Sequence, residues 1–185
     1  MKKNLRLRIT NGLLAAFMFA LLAVPVPFVA AQPFGKGVFG ADVPFGSLTS
    51  LSIGLSNSVA MTLSPSGGNL AGTGSHVVTI TSLDVVGYSL YVNNPTNTNM
   101  VNGSFTIPAS GNSTGAPLAL NTWGYNTDGS ANFVGLTTSQ VLLTDKNGPF
   151  KNGDDTTVTY GAYIDTTKGS GTYTVDVTYT AVGKS

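Results

Sequence analysis

Residues 157–182 read TVTYGAYIDTTKGSGTYTVDVTYTAV, and this stretch decides the fold class. In its second half, TYTVDVTYTAV, apolar and aromatic residues alternate with threonine and aspartate. A period of two is typical of a strand that buries one face and exposes the other. The connection TTKGSG contains glycine, so we expect the two halves to form a hairpin. The side chains expected to face the core are Tyr173, Val175, Val177, Tyr179 and Ala181.

Shorter alternating segments lie upstream, separated by Gly, Asn, Ser or Pro. They are LSIGL (51–55), VAMTL (59–63), HVVTIT (76–81) and VVGYSLYV (85–92). In the last of these we place Val86, Tyr88, Leu90 and Val92 on one face. From Asn93 to Asn152 the pattern weakens into mostly polar loop, with short apolar pieces at SFTIP, PLAL, NFVGL and QVLL. The whole predicts an all-β protein, an immunoglobulin-like β-sandwich of seven to nine strands, with a jelly roll as the alternative.

The composition favours the same fold class. The 185 residues include no cysteine and no glutamate, while Ser, Thr, Asn and Gly dominate. Long helices favour Ala, Glu, Lys and Leu, whereas Thr, Val and Tyr suit pleated surfaces. Without disulfide staples, the domain has to rely on its core or on partners.

The N-terminus has the layout of a secretory signal peptide. MKKNLRLR carries four positive charges, and a long apolar run follows and closes on small residues. Pro25 and Pro27 interrupt this run before it reaches the roughly 20 residues of a spanning helix. We therefore predict cleavage after Ala31, with an N-terminal membrane anchor as the alternative. The predicted organisation is a signal peptide at 1–31, an N-terminal extension at 32–50 and a β-sandwich domain at 51–185.

Cleavage would also change the charge of the protein. Five lysines and eight aspartates remain after residue 31, so the net charge becomes −3, and both arginines are lost. A mildly acidic chain without arginine offers no electrostatic surface for nucleic acid. We expect a secreted, extracellular protein at the cell surface with no nucleic-acid partner.

Catalytic chemistry has few candidate residues in this chain. The single histidine, His76, begins the predicted strand HVVTIT, and a chain without cysteine and glutamate lacks the partners for a triad or zinc site. We interpret His76 as a plain strand-edge residue. We predict that the protein is not an enzyme, with no catalytic residues, no metal and no cofactor.

Two polar loops carry oxygen side chains at alternate positions, as calcium sites do. Neither has the glycine and glutamate spacing of an EF-hand, so we interpret both as solvated turns. The residues concerned are Asn126, Asp128, Ser130 and Asn132 in the first loop, and Asp145, Asn147, Asp154 and Asp155 in the second.

Trp123 and Tyr125 lie together in NTWGYN. They are candidate ligand contacts, because a tryptophan can form a stacking platform for a sugar. A single large aromatic residue in a β-sandwich also fills the core, and that interpretation is the stronger one.

The N-terminal extension contains an apolar ribbon, VFGADVPFG, at Val38–Gly46. Its bulky residues recur at every second position, and the joint GSLTS (46–50) connects it to the domain. We predict that this ribbon is a donor strand, which leaves its own domain and completes the sheet of a neighbour. The alternatives are a first strand of its own sandwich and a disordered tail. The donor residues would be Phe39, Ala41, Val43 and Phe45.

Three further motifs carry a resemblance: VVGYSLYV, the central WGY and the closing GTYTVDVTYTAV. With them, residues 51–182 resemble small secreted surface domains of bacteria, which are similar in kind to pilin-like or matrix-fibre sandwiches. The resemblance implies an extracellular structural or adhesive subunit.

We therefore expect a pilin-like subunit that forms a surface filament, as in a fimbrium or biofilm matrix. Its partners would be identical subunits in a head-to-tail polymer, together with a surface glycan or host cell for adhesion. The alternative is a monomeric adhesin or a carbohydrate- or cell-wall-binding module that uses Trp123 and Tyr125.

Overall fold

A computed structural model describes residues 50–83 and 85–184 of the protein. The predicted signal peptide and the ribbon Val38–Gly46 lie outside these residues. The described chain is all-β, which confirms the predicted fold class. Within it, no helix has the length and apolar character needed to cross a membrane.

Ten strands form the described part, more than the predicted seven to nine because three of them are only three residues long. In chain order they are β1 (Ser50–Leu55), β2 (Ser64–Ser66), β3 (Asn69–Leu83), β4 (Gly87–Asn93), β5 (Met100–Asn102), β6 (Phe105–Ile107), β7 (Thr122–Asn126), β8 (Val141–Asn147), β9 (Phe150–Ile164) and β10 (Thr178–Lys184).

The strands form two main sheets, and every strand pair is antiparallel. The first sheet has the order β1-β3-β9-β7, with β2 also paired to β3. The second has the order β10-β4-β8. The short strands β5 and β6 pair with each other.

One core lies between the two sheets. Alternate residues of the strands point into it, as period-two strands require. Each large apolar side chain fully buried there contributes roughly 1.5–3 kcal/mol. The first sheet contributes Val78, Ile80, Trp123, Tyr125, Val158, Tyr160, Ala162 and Ile164, and the second contributes Tyr88, Leu90 and Val92. This arrangement is consistent with a β-sandwich.

The predicted facing of the last segment is confirmed, but the predicted hairpin is wrong. Tyr173, Val175, Val177, Tyr179 and Ala181 all pack against the core. However, β9 pairs with β3 and β7 in the first sheet, and β10 pairs with β4 in the second. The connection therefore crosses between sheets. Periodicity shows which face of a strand is buried and carries no information on which distant strand pairs with it.

Two other sequence-based expectations need correction. Val86 is exposed, because it precedes β4 and does not continue the inward face of Tyr88. The region predicted as mostly polar loop, from Asn93 to Asn152, contains the four strands β5 to β8 and the beginning of β9. These strands carry polar residues that the apolar pattern does not register.

The predicted strand VAMTL is not a paired strand in the structure. Instead, residues 59–63 run over the core face of β3. A side chain at Gly72 would clash with the carbonyl of Thr62, and one at Gly74 would clash with that of Ala60. These two glycines therefore let the segment approach the sheet closely.

Candidate functional site: an open groove between the sheets

The core-facing side of β1 is poorly covered. Ile53 lies opposite Ile80, and Leu55 lies opposite Val78. Directly opposite residues of antiparallel strands share a face, so Ile53 and Leu55 point to the core side of the first sheet. Their neighbours on β3 are fully buried, yet Ile53 is 42% exposed and Leu55 is 54% exposed. The second sheet therefore stops short of this part of β1.

The strand nearest to this uncovered face is β10. In the described part of the chain, β10 is an edge strand of the second sheet and pairs only with β4. The beginning of β1 lies beside the end of β10, because a Cβ at Gly183 would stand 3.9 Å from a methyl carbon of Leu51. The outer edge of β10 and the core face of β1 thus border the same space, which we call the open groove.

The chain after β1 passes close to the beginning of β10, at the other end of the open groove. Asn57 and Tyr179 both contact His76. The carbonyl of Asn57 lies 3.1 Å from Nδ1 of His76, and the hydroxyl of Tyr179 lies 2.7 Å from Nε2. The chain at Asn57 therefore lies next to the Tyr179 end of β10.

His76 is not the strand-edge residue predicted from the sequence. The strand β3 begins seven residues earlier, at Asn69, and His76 is buried in its middle with its ring on the core side. The sequence missed this start because LAGTGS, which contains two glycines, resembles a turn. The ring packs against the rings of Tyr160 and Tyr179, with centroids 5.8 and 5.4 Å away.

A chain of hydrogen bonds connects the sheets at this point. The carbonyl of Asn57 can only accept, so Nδ1–H of His76 donates to it in the neutral tautomer and Nε2 accepts from the hydroxyl of Tyr179. The hydroxyl of Tyr160 then donates to that of Tyr179 at 2.5 Å. Burial raises the pKa of Tyr160 to about 12 and raises the pKa of Tyr179 as well. Both tyrosine hydroxyls therefore stay protonated over the physiological range, and the cluster acts as a structural joint.

The structure corrects the ligand-contact prediction for Trp123 and Tyr125. Trp123 has no exposed surface, and its indole N–H donates to the carbonyl of Thr98 at 2.9 Å. Tyr125 is 4% exposed, and burial raises its pKa. A sugar has no access to either ring, so the core interpretation of Trp123 holds. Both residues lie on β7, with their side chains pointing into the core.

The first calcium candidate is a closed polar turn. The side-chain amide of Asn126 donates to the carbonyls of Ser130 and Asn132, and its oxygen accepts from the backbone of Gly129. A carboxylate oxygen of Asp128 accepts from the backbone of Ser130. These oxygens are turned into the loop itself.

The second calcium candidate is not a loop, because its residues lie on β8 and β9. Asp145 pairs with Lys184, and Asp154 pairs with Lys146, whose Nζ lies 3.1 Å from the carboxylate. Asp155 accepts from the hydroxyl of Thr79 at 2.6 Å. Across residues 50–83 and 85–184, no group of three or more His, Asp or Glu side chains converges on a metal position.

Comparison with known proteins gives no relative: no protein-family model, curated protein or solved structure matches the chain. The four donor residues predicted from the sequence, Phe39, Ala41, Val43 and Phe45, lie outside the described residues. The open groove is therefore the feature on which a function has to be argued.

Proposed function

We propose that the protein is a secreted structural subunit that polymerises into an extracellular surface filament by donor-strand exchange. The observation that carries the proposal is the open groove: core-facing Ile53 and Leu55 are half exposed beside the outer edge of β10. A sheet edge next to uncovered apolar side chains is the site at which an added strand gains both backbone hydrogen bonds and burial.

The strand order supports an immunoglobulin-like sandwich over a jelly roll. Constant-type immunoglobulin domains have one sheet in the order A-B-E-D and a second containing C, F and G. The order β1-β3-β9-β7 reproduces the first sheet, and the pair β4-β10 corresponds to C and F. In this assignment β8 is an extra strand on the far side of β4. The G position, beside β10, is the one without a strand in the described chain.

The ribbon Val38–Gly46 has the length and pattern that the groove requires. The strand β10 is seven residues long, and the donor residues of the ribbon span seven positions, from Phe39 to Phe45. Its bulky side chains recur at every second position, so all four would point towards β1. Covering Ile53 and Leu55 would contribute about 1 kcal/mol each, since roughly half of each side chain is still exposed.

Donation between copies leads to an open polymer. The ribbon and the groove are different surfaces of one chain, so each subunit offers a ribbon to one neighbour and a groove to another. Such a heterologous contact builds fibres when its rotation does not close a ring. The role we propose is therefore structural and not catalytic, and the partners are identical subunits.

The proposal is tested by placing a charge on the floor of the groove. Ile53→Asp leaves the charge partly solvated in the free subunit but buries it under an added strand. We expect this variant to fold and to lose filaments, as seen by negative-stain electron microscopy of the secreted protein. Ser52→Asp, on the opposite, exposed face of β1, is the matched control and is expected to polymerise normally. Filaments of equal length from both variants would contradict the proposal.

A further inference from the structure

We infer that the strand in the open groove is the ribbon Val38–Gly46 of a second copy, that it runs antiparallel to β10, and that a chain's own ribbon cannot replace it. This inference rests on the proposed function. It adds the direction of the added strand and the reason why the chain does not complete itself.

The first step is to find which residues of β10 offer their backbone to the groove. The carbonyl of Lys184 accepts from the backbone N–H of Val86, and the carbonyl of Asp176 accepts from the side-chain amide of Asn94. Val86 and Asn94 flank β4, so the even-numbered residues of this segment point their backbone groups towards β4. Backbone groups alternate sides along a strand. Those of Tyr179, Ala181 and Gly183 therefore point into the groove.

The second step uses the side chains of the same residues. Tyr179 and Ala181 are also the residues of β10 that pack against the core. In an antiparallel pair, residues directly opposite share a face and exchange hydrogen bonds with each other. The inward residues of an antiparallel ribbon would therefore be the ones that bond to β10. In a parallel pair, the backbone N–H and C=O of the opposite residue point away, and the residues before and after it make the hydrogen bonds. The ribbon residues whose side chains point outward would then bond to β10.

Pro44 distinguishes these two directions. It alternates with Val43 and Phe45, so it points outward when they point inward. In the antiparallel direction, the backbone nitrogen of Pro44 faces away from β10. A proline is tolerated there, because the ribbon is an edge strand. In the parallel direction, Pro44 would face β10 with no N–H to donate, and its ring would press on the strand.

The third step concerns the reach of a chain's own ribbon. Only four residues, 46–49, separate Phe45 from Ser50, so these two Cα atoms can be at most about 17 Å apart. The beginning of β1 lies at the Gly183 end of β10. In the antiparallel direction Phe45 would have to reach Val177, which lies six residues and about 20 Å from Gly183 along the strand. Phe45 of the same chain can therefore reach only the near end.

A chain's own ribbon would thus have to run towards the Gly183 end of β10, and this direction is parallel to β10. That is the direction that Pro44 disfavours. The ribbon of a second copy has no such tether and can enter antiparallel. In the register that pairs all four inward residues, Phe39 lies opposite Gly183, Ala41 opposite Ala181, Val43 opposite Tyr179 and Phe45 opposite Val177. The large ring of Phe39 then lies opposite Gly183, which has no side chain.

Disulfide trapping tests this inference cleanly, because the chain contains no cysteine. In the antiparallel register, the outward residues Gly40 and Val182 lie opposite each other at a non-hydrogen-bonded position, with Cα atoms about 4.5 Å apart. This spacing permits a disulfide. In the parallel direction, Gly40 would instead lie near Thr178. The two double variants are Gly40→Cys with Val182→Cys, and Gly40→Cys with Thr178→Cys, each recovered as secreted protein and oxidised.

We expect the Val182→Cys pair to give a ladder of disulfide-linked chains on a non-reducing gel and the Thr178→Cys pair to stay unlinked. Mixing the single variants Gly40→Cys and Val182→Cys should give linked dimers, which can form only between chains. A disulfide closed within one chain by the Thr178→Cys pair would overturn the inference. Filaments without a link in the Val182→Cys pair would overturn it while the proposed function stands. Absence of both filaments and links would overturn both.

Discussion

The hydroxyl of Tyr179 lies 2.7 Å from Nε2 of His76, and this hydrogen bond joins the second sheet to the first. Tyr179 belongs to β10, whose outer edge borders the open groove, and His76 belongs to β3 at the centre of the first sheet. The bond therefore ties β10 to β3, which is the neighbour of β1 in the first sheet. A groove with a fixed width can receive a strand without first rearranging.

Removing this bond is expected to destabilise the domain. Tyr179→Phe leaves Nε2 of His76 buried without a partner and removes the acceptor for Tyr160, so the free energy of unfolding should fall by about 1–3 kcal/mol. Tyr91→Phe is the control, because the hydroxyl of Tyr91 bonds to no described residue, and its effect should stay within about 0.5 kcal/mol. Urea unfolding measures both, and equal losses would show that the joint contributes nothing.

Stability should fall in alkali because of the buried tyrosines. Burial raises the pKa of Tyr160 to about 12, whereas an unfolded tyrosine titrates near 10. The protonated hydroxyl of Tyr160 therefore contributes its full share to the free energy of unfolding below pH 10. This share is lost as the pH rises from 10 towards 12, by about 1 kcal/mol per pH unit. Urea unfolding at pH 8, 10 and 11 measures the slope. The slope should be shallower in Tyr160→Phe, and an unchanged slope would contradict the assignment.

The two faces of the chain at the beginning of β10 should respond differently to charge. Val177 packs against the core, while Thr178 is exposed. Val177→Asp would bury a carboxylate without a partner and should lower the free energy of unfolding by about 3 kcal/mol or more. Thr178→Asp should be tolerated within about 0.5 kcal/mol. Thermal melting compares them, and similar midpoints would mean that the facing is wrong.

Trp123 should behave as a core residue. Trp123→Ala removes a fully buried ring and its hydrogen bond to Thr98, so we expect a loss of about 3–5 kcal/mol in chemical unfolding. Leu142→Ala, at an exposed apolar residue of β8, is the comparison and should cost less than about 1 kcal/mol. A small loss for Trp123→Ala would restore the ligand-platform interpretation.

The sequence predicted the fold class and the burial of individual strands better than it predicted their partners. Alternation placed Tyr173, Val177 and Tyr179 on the correct face, because side-chain direction in a strand is a local property. The same pattern suggested a hairpin between β9 and β10, which lie in different sheets. Pairing depends on residues far apart in the chain, and alternation does not encode it.

The candidate site was predicted only in part. The ribbon was visible as a pattern, but the groove was not, because Ile53 and Leu55 have the same alternation as buried strand residues. Only the register of β1 on β3 and the position of β10 show that nothing in the described chain covers them. His76 was misplaced for a related reason: glycines in β3 read as a turn, while in the structure two of them admit residues 59–63.

The most direct test of the account is the thermal midpoint of the chain without Gln32–Gly46, titrated with a peptide of sequence VFGADVPFG. We predict a soluble monomer of reduced stability whose midpoint rises with peptide concentration and then levels off, since a ligand that binds only the folded state stabilises it. A peptide with Val43→Asp should leave the midpoint unchanged. A midpoint that does not respond to VFGADVPFG, or that responds equally to both peptides, would contradict donor-strand exchange at the open groove.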